Sequence, residues 1–145
     1  LLKCYKPIGQ SSKKQQRGHR ENIEMGEAVG VRHEGKAFIF VNIQPAGEDD
    51  YDQTPEGVET SAMSCLAEAS DLNCTSIVMP ALGNGMWHVP LPTSAGSIAH
   101  AAKLYIDAME EQGRPQNLKR IEIVLYRPSS EDRKSIVSPV KVLNP

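Results

Sequence analysis

Residues 76–85 read Ser-Ile-Val-Met-Pro-Ala-Leu-Gly-Asn-Gly, an apolar run that passes into a loop containing two glycines. The first four residues predict a buried strand ended by Pro80, because a short apolar run bounded by turn residues is typical of a strand covered on both faces. Gly83 and Gly85 permit positive φ angles and allow a ligand to approach the main chain closely. The stretch predicts a strand followed by an anion-facing loop, and a tight turn in which glycine only relieves crowding fits the spacing equally well.

Strand patterns occur on both sides of this stretch. Residues 28–33 predict a short strand, and residues 37–43 predict a far stronger one, because nearly all of them are apolar, β-branched or aromatic. Residues 121–126 predict a further strong strand, closed by Pro128. Residues 135–143 predict an added edge strand or a tail, since Pro139 disfavours a central strand.

Two helices are predicted between the strands. The first begins at Pro55, and the second is capped by Ser94 and stopped by Gly113 and Pro115. Apolar residues at three-to-four spacing give each helix one buried stripe: Val58, Ala62, Cys65, Leu66 and Ala69 in the first, and Ile98, Ala102, Tyr105 and Met109 in the second. The alternation of strands and helices predicts an α/β fold with a largely parallel sheet.

Composition narrows the classes of protein that this chain can be. A length of 145 residues with 39% apolar content predicts one compact domain, and a net charge of -2 gives no global reason to expect a nucleic-acid or membrane partner. The three cysteines, Cys4, Cys65 and Cys74, lack the spacing of a metal knuckle or a redox motif. We therefore expect reduced thiols in a cytoplasmic or nuclear protein, without a metal or a cofactor.

Residues 76–85, followed by Pro90 and a helix rich in alanine and isoleucine, resemble the second ligand loop of macro domains. The segment Gly26-Glu27-Ala28-Val29 and the strand at residues 37–43 are similar to a turn and a central strand of that family, and residues 123–126 resemble its last core strand. The likeness spans roughly residues 24–127. It implies a three-layer α/β/α sandwich with a mixed, largely parallel sheet, truncated at the N-terminus.

The resemblance implies recognition of ADP-ribose or of an ADP-ribosylated macromolecule. Main-chain amides of Gly83, Asn84, Gly85 and Met86 would hold the diphosphate, and Tyr126 would stack near the adenine. The ligand-binding residues implied by the resemblance are Pro80, Ala81, Leu82, Gly83, Asn84, Gly85, Met86, Trp87, His88 and Tyr126. The opening strands, the acidic adenine-recognition residue and the first ligand loop of the family are not found here, and His88 stands where many relatives have glycine.

Three functions are consistent with these residues. Binding of ADP-ribose without turnover is favoured slightly over a degenerate domain that serves as a protein or nucleic-acid interaction module. In that module an exposed Trp87 would be the contact anchor, and the basic residues 1–20 would supply any nucleic-acid affinity. An ADP-ribosyl hydrolase is the third alternative, and the histidines His19, His33, His88 and His100 are too scattered to supply an obvious catalytic group.

The chain divides by composition into three segments. Residues 1–20 form a basic segment of helix or loop, residues 21–128 form the macro-like core, and residues 129–145 form the tail or edge strand. The basic segment is expected to be a solvated terminus, since Tyr5 is its one aromatic residue and nucleic-acid binding usually requires several. Residues 45–55 are expected to form an acidic loop rather than a metal site.

Overall fold

Four strands and three helices follow one another in the computed structural model, which describes residues 23–43, 54–85, 87–126 and 128–140. The order is β1 (Ala28–His33), β2 (Lys36–Val41), α1 (Pro55–Asp71), β3 (Ser76–Pro80), α2 (Leu91–Glu111), β4 (Arg120–Val124) and α3 (Ser130–Val140). The expectations for the basic segment at residues 1–20 and for most of the acidic loop concern residues outside these ranges. The predicted α/β arrangement is confirmed, and the described strands form two separate pairs.

Strands β1 and β2 form an antiparallel hairpin in which Ala28 pairs with Val41 and His33 pairs with Lys36. The two connecting residues, Glu34 and Gly35, have φ values of 49° and 76°. Positive φ at both central positions is what a type I′ turn requires, and this turn matches the twist of the strands that it joins. The hairpin is therefore closed by the tightest type of connection, with glutamate at a position that usually holds asparagine.

Strands β3 and β4 are parallel, with Ser76 opposite Arg120 and Pro80 opposite Val124. A parallel pair needs a long crossover connection, and helix α2 supplies it. The predicted strand at residues 76–79 extends through Pro80, since a proline at the end of a strand lacks only a donor that the ladder no longer needs.

Helices α1 and α2 pack against each other and provide most of the hydrophobic core. Both predicted apolar stripes are confirmed, because every residue in them is buried. Strands β1 and β2 lie on α1, where the Gly30 amide donates to Glu68 Oε1 at 2.9 Å. A Cβ atom on Gly30 would lie 2.5 Å from Leu72 Cδ1 and 2.9 Å from Glu68 Cγ, so a larger residue at this position would force these two side chains to shift.

The prediction that Ser94 caps the second helix is wrong. The helix begins at Leu91, and Pro90 is its N-cap with φ -55° and ψ 139°. Pro92 stands in the first turn, where the fixed φ of proline suits a helix and its missing N–H would have no partner in any case. Ser94 lies one turn further on, is fully buried, and donates from Oγ to the Leu82 carbonyl at 2.7 Å.

Of the two alternatives for residues 135–143, the edge strand is wrong for the part that the structure describes. Helix α3 covers Ser130–Val140 and packs on α2 through Ile136, Leu91 and Ala95. Its start is fixed by a reciprocal cap in which the Ser129 amide donates to Asp132 Oδ2 at 2.9 Å and the Asp132 amide donates to Ser129 Oγ at 3.0 Å. This cap favours a helix over a strand from the first turn onward.

The sheet faces directed away from α1 carry large apolar side chains that are exposed. Val29 is opposite Phe40 and Val31 is opposite Phe38 on the outer face of the hairpin. Phe40 is 59% exposed, and Val78 on β3 is exposed to the same extent. Strands covered on both faces are typically apolar throughout. The outer face is therefore as apolar as a buried one, although it is not covered by the described residues. No described helix combines the length and apolar character that a bilayer span requires.

Candidate functional site

The loop between β3 and α2 lies at the same sheet edge as the end of β4. The register that pairs Pro80 with Val124 brings the carboxyl ends of both strands together. The structure therefore places the predicted residues of the loop near Tyr126, which follows β4 and is 78% exposed. In open α/β folds, ligands bind at this edge. Met86, which belongs to the predicted set, lies outside the described residues.

Carbonyl groups of the loop are occupied by hydrogen bonds within the protein. Ala81 O accepts from the Asn84 amide at 3.3 Å, Gly83 O accepts from the Val89 amide at 3.0 Å, and Gly85 O accepts from the His88 amide at 3.3 Å. The Leu82 carbonyl is held by Ser94 Oγ, as described above. These four carbonyls are thus satisfied within the protein, three of them by the amides of Asn84, His88 and Val89.

Donor groups of the same loop are left over. The amides of Gly83 and Gly85 donate no hydrogen bond to any other described residue. Gly83 is buried with φ 74°, a conformation that glycine adopts without steric cost, whereas Gly85 is exposed with open space around it. A buried N–H group without a partner costs free energy, so an acceptor brought by a ligand would stabilise this loop.

The start of α2 adds further donors. Its N-cap, Pro90, makes no side-chain hydrogen bond, and no acidic residue stands in the first turn. Of the first-turn amides, those of Leu91 and Thr93 have no intrahelical acceptor, because Ser94 is the first to donate backward, to Pro90 O at 2.9 Å. The N-terminus of a helix carries a partial positive charge of roughly half an elementary charge. Together with the two glycine amides, this end favours an anion.

Two side chains fix the loop rather than line a pocket. Asn84 donates from Nδ2 to the Val89 carbonyl at 2.9 Å, which ties the two halves of the loop together. Ser94 holds the other side through Leu82, as above. The side-chain amide of Asn84 is thus used within the loop.

The two bulky residues of the loop are placed differently from each other. His88 is exposed and adopts a φ of 53°, which is rare for a residue other than glycine. Trp87 is half-buried, so the exposed contact anchor expected of the degenerate alternative is not seen. The imidazole of His88 does not fill the interior of the loop. The backbone at this position is left-handed, a conformation that glycine adopts at lower cost than histidine does.

A cleft of about 690 Å³ runs between β2 and β3 and was not predicted from the sequence. We call it the inter-sheet cleft. Its walls are formed by the two strands, its floor includes Cys65 and Ala69 of α1, and it meets the ligand loop only at Pro80 and Leu82. No sequence signal identifies it, because it depends on which strand edges face each other across α1.

Titratable groups are few near the loop. Cys65 lies under the inter-sheet cleft, and burial, with a smaller contribution from the charge of Glu68, raises its pKa to about 11. Cys65 and Cys74 are both free thiols. Within the described ranges, no three histidine, cysteine or acidic side chains are grouped closely enough to hold a metal ion.

Comparison with known families gives one match for this arrangement. Residues 6–99 match the family model of the Macro domain. This match starts within the basic segment, upstream of the region in which the sequence motifs were recognised, and includes the ligand loop. A search of curated proteins gave no match.

Solved structures with a similar fold include the macrodomain of Oceanobacillus iheyensis. The form with ADP has a TM-score of 0.62 and 16% identity, over 85% of this chain and 61% of that chain. The form with MES bound has a TM-score of 0.60 and 17% identity, with coverage of 85% and 61%. A mutant with ADPR has a TM-score of 0.60 and 15% identity, with coverage of 83% and 61%. The chain thus spans about three fifths of the length of these structures.

Proposed function

The chain belongs to the macro domain family, and we propose on this premise that it recognises the diphosphate of ADP-ribose or of an ADP-ribosylated macromolecule through main-chain donors. The single observation that carries the proposal is the hydrogen bonding of the loop at residues 81–90, in which the carbonyls of Ala81, Leu82, Gly83 and Gly85 accept inside the protein while the amides of Gly83 and Gly85 have no acceptor among the described residues. A loop with this division of donors and acceptors attracts an anion without any cationic side chain.

The expected strength follows from the number of donors. A hydrogen bond to a charged acceptor contributes roughly 1.5–3 kcal/mol, and a helix N-terminus adds roughly 0.3–1 kcal/mol. Two amides and the start of α2 therefore supply about 3–7 kcal/mol, which corresponds to a Kd between several millimolar and about 10 µM for a bare diphosphate. Binding of this strength is measurable by calorimetry.

Tyr126 is proposed as the adenine contact, since it is exposed at the sheet edge that carries the loop. Stacking of a base on an aromatic side chain is worth about 1–3 kcal/mol. Tyr126→Ala is expected to weaken ADP-ribose binding at least fivefold and to leave inorganic pyrophosphate binding within twofold. Equal losses for both ligands would remove Tyr126 from the adenine site.

The function proposed is binding without turnover. The loop at residues 81–90 offers donors, and its one titratable side chain is the exposed His88. A general acid or base must lie within hydrogen-bond reach of the reacting group and be held there, and His88 has no such support among the described residues. Release of ADP-ribose from a modified protein by the purified chain would contradict this part of the proposal.

The central experiment is calorimetric titration with ADP-ribose, ADP and adenosine. ADP-ribose and ADP are expected to bind, and adenosine, which has no phosphate, is expected to bind at least tenfold more weakly. Gly85→Glu should abolish binding, because it places a carboxylate where the diphosphate would lie. Gly85→Ala is the matched control, since a Cβ atom at this position meets no atom within 4 Å and the amide is kept. A folded protein that gives no heat with millimolar ADP-ribose would refute the proposal.

A further inference from the structure

Charged side chains are absent from the sequence around the loop at residues 81–90. Between Asp71 and His100 the chain carries no aspartate, glutamate, lysine or arginine, and His88 is the one residue there that can gain a positive charge. This span contains β3, the whole loop and residues 91–99 of α2. Any positive side-chain charge that these elements offer to an anion therefore comes from His88.

His88 stands close to the Gly85 amide, which has no acceptor among the described residues. The amide of His88 donates to Gly85 O at 3.3 Å. This bond closes a turn in which the first and last Cα atoms lie within roughly 7 Å of each other. The His88 side chain is exposed, and its ring makes no hydrogen bond or ion pair with another described residue. The imidazole can therefore turn toward an acceptor that the Gly85 amide holds.

The backbone of His88 also favours a role for its side chain. Its φ of 53° lies in the left-handed region, which glycine adopts at lower cost, as Gly83 does with a φ of 74°. Strained residues of this kind are found preferentially at ligand-binding positions, where the surrounding structure holds them in place. The strain is a second observation, separate from the charge, that favours use of the imidazole.

The described elements that border the loop supply few other charges. Strand β3 carries none, and the first charged or titratable group on α2 is His100, which pairs with Glu59 at 2.6 Å. Arg120 and Glu122 of β4 pair with each other at 2.8 Å. Among the described residues beyond β4, the titratable or charged groups are Tyr126, Glu131, Asp132, Arg133 and Lys134. Those on α3 include equal numbers of both signs, so His88 sets the charge of the loop itself.

We propose that His88 determines how strongly the loop binds a diphosphate, because its imidazolium adds a charged donor beside the Gly85 amide. The protonated ring carries two N–H donors and a positive charge, whereas the neutral ring carries one donor and no charge. The affinity for the diphosphate therefore rises as the pH falls through the range in which histidine takes up a proton. This inference rests on the proposed function, and it adds the group that makes the same site sensitive to pH.

The expected effect is modest because His88 is exposed. Full protonation should strengthen binding about fivefold, which corresponds to about 1 kcal/mol, the upper end of the range for an exposed ion pair. A diphosphate held by main-chain donors alone should show no such change, because peptide N–H groups do not titrate in this range. The dependence on pH therefore separates a contribution of His88 from that of the backbone.

ADP-ribose is the ligand for the test. Each of its two phosphates is linked on both sides, so its charge stays constant between about pH 5.5 and pH 8.5, whereas the terminal phosphate of ADP titrates near pH 6. Calorimetric titration of the full chain at constant ionic strength gives the Kd across this range. The Kd of the native chain should be about fivefold lower at the acidic end than at the alkaline end.

Two variants carry the comparison. His88→Asn places at this position a residue that tolerates a positive φ and cannot be protonated, so its Kd should change less than about twofold across the range. His33→Asn is the matched control, because His33 is equally a surface histidine but lies at the end of β1, outside the site. It should keep the pH profile of the native chain.

Proton uptake on binding is the second readout. Calorimetry in two buffers that differ in ionisation enthalpy counts the protons that the complex takes up. A fivefold difference in affinity between the two states of His88 corresponds, by linkage, to an uptake of at most about 0.4 proton per ADP-ribose bound. His88→Asn should take up none, and a residue with a merely structural role would leave this quantity unchanged.

Failure of the inference and failure of the proposed function give different results. No heat with millimolar ADP-ribose at any pH, from a folded native chain, would refute diphosphate recognition and this inference together. Binding with the same pH profile in the native chain and in His88→Asn would exclude the role of His88 and leave the proposed function intact. If His88→Asn does not fold, the native chain still decides, because binding without proton uptake would overturn the inference.

Discussion

Replacement of Tyr105 by phenylalanine is expected to stabilise the protein. Tyr105 is the largest fully buried side chain, with 0% exposure, and its hydroxyl has no hydrogen-bond partner among the described residues. A buried polar group left unsatisfied costs about 1–3 kcal/mol, so the folded state pays this penalty in the native sequence. Phenylalanine removes the hydroxyl and keeps the ring in place.

The magnitude follows from two opposing contributions. Removal of the unsatisfied hydroxyl contributes about 1–3 kcal/mol, and the small space left behind costs less than the roughly 1 kcal/mol of a methyl-sized cavity. We therefore expect Tyr105→Phe to raise the free energy of unfolding by about 1 kcal/mol, which is about 2–4 °C in Tm for a chain of this size.

Urea unfolding followed by circular dichroism measures this change. Phe40→Tyr is the control, because Phe40 is 59% exposed and the same hydroxyl difference at an exposed ring should change the free energy by less than about 0.5 kcal/mol. A loss of about 1 kcal/mol or more in Tyr105→Phe would refute the reasoning, since it would mean that the hydroxyl has a partner, such as a buried water, that stabilises the core.

Three further predictions concern single positions. Glu34→Asn should raise Tm, with a gain of up to about 1 kcal/mol, because asparagine tolerates the φ of 49° better than glutamate does; an unchanged or lower Tm in a thermal melt would contradict the turn geometry. His88→Gly should raise the free energy of unfolding by up to about 1 kcal/mol, because relief of roughly 1–2 kcal/mol of left-handed backbone strain exceeds the entropic cost of glycine. A loss of stability in urea unfolding would show that the imidazole makes a stabilising contact. Burial raises the pKa of the Cys65 thiol from 9.0 to about 11. Because the thiol of the unfolded chain ionises at lower pH, the stability that this shift represents is fully present below pH 9 and is lost as the pH rises toward 11. The loss in the free energy of unfolding is up to about 3 kcal/mol. Urea unfolding of the native protein and of Cys65→Ala should therefore converge over that range, and a constant difference between them would argue against the shift.

The helices could be predicted in detail because their apolar residues recur with the helical period. The five stripe residues of α1 and the four of α2 are all buried, as the pattern indicated. The first residue of α2 is harder to predict, because both Ser94 and Pro90 are plausible N-caps. Ser94 is excluded by its hydrogen bond to the Leu82 carbonyl, twelve residues away, which the local sequence does not indicate. Helix α3 is hard to predict because Pro139 interrupts the apolar pattern at its end, and the signal for a helix is the cap between Ser129 and Asp132 at its start.

The turn between β3 and α2 could be located from the sequence, whereas its hydrogen bonding could not. The glycine pair marks the turn, but which amides remain free depends on the acceptors that fold inward at Ala81, Gly83 and Gly85. The Glu34–Gly35 turn has no recognisable sequence signal either, because glutamate is uncommon at the first central position of such a turn. The inter-sheet cleft lies between elements far apart in the chain, and strand patterns alone do not specify which edges remain open.

The two strand pairs differ in how far apart their partners lie along the chain, and this difference has a kinetic consequence. The β1–β2 hairpin is joined by two residues and can zip within microseconds, whereas β3 and β4 meet only after α2 has formed and crossed over. The rate-limiting barrier to folding should therefore involve docking of α2 and β4, with the hairpin already present beforehand. Substitutions in the hairpin turn would then alter an early, fast equilibrium, and substitutions at the α1–α2 contact would alter the overall folding rate.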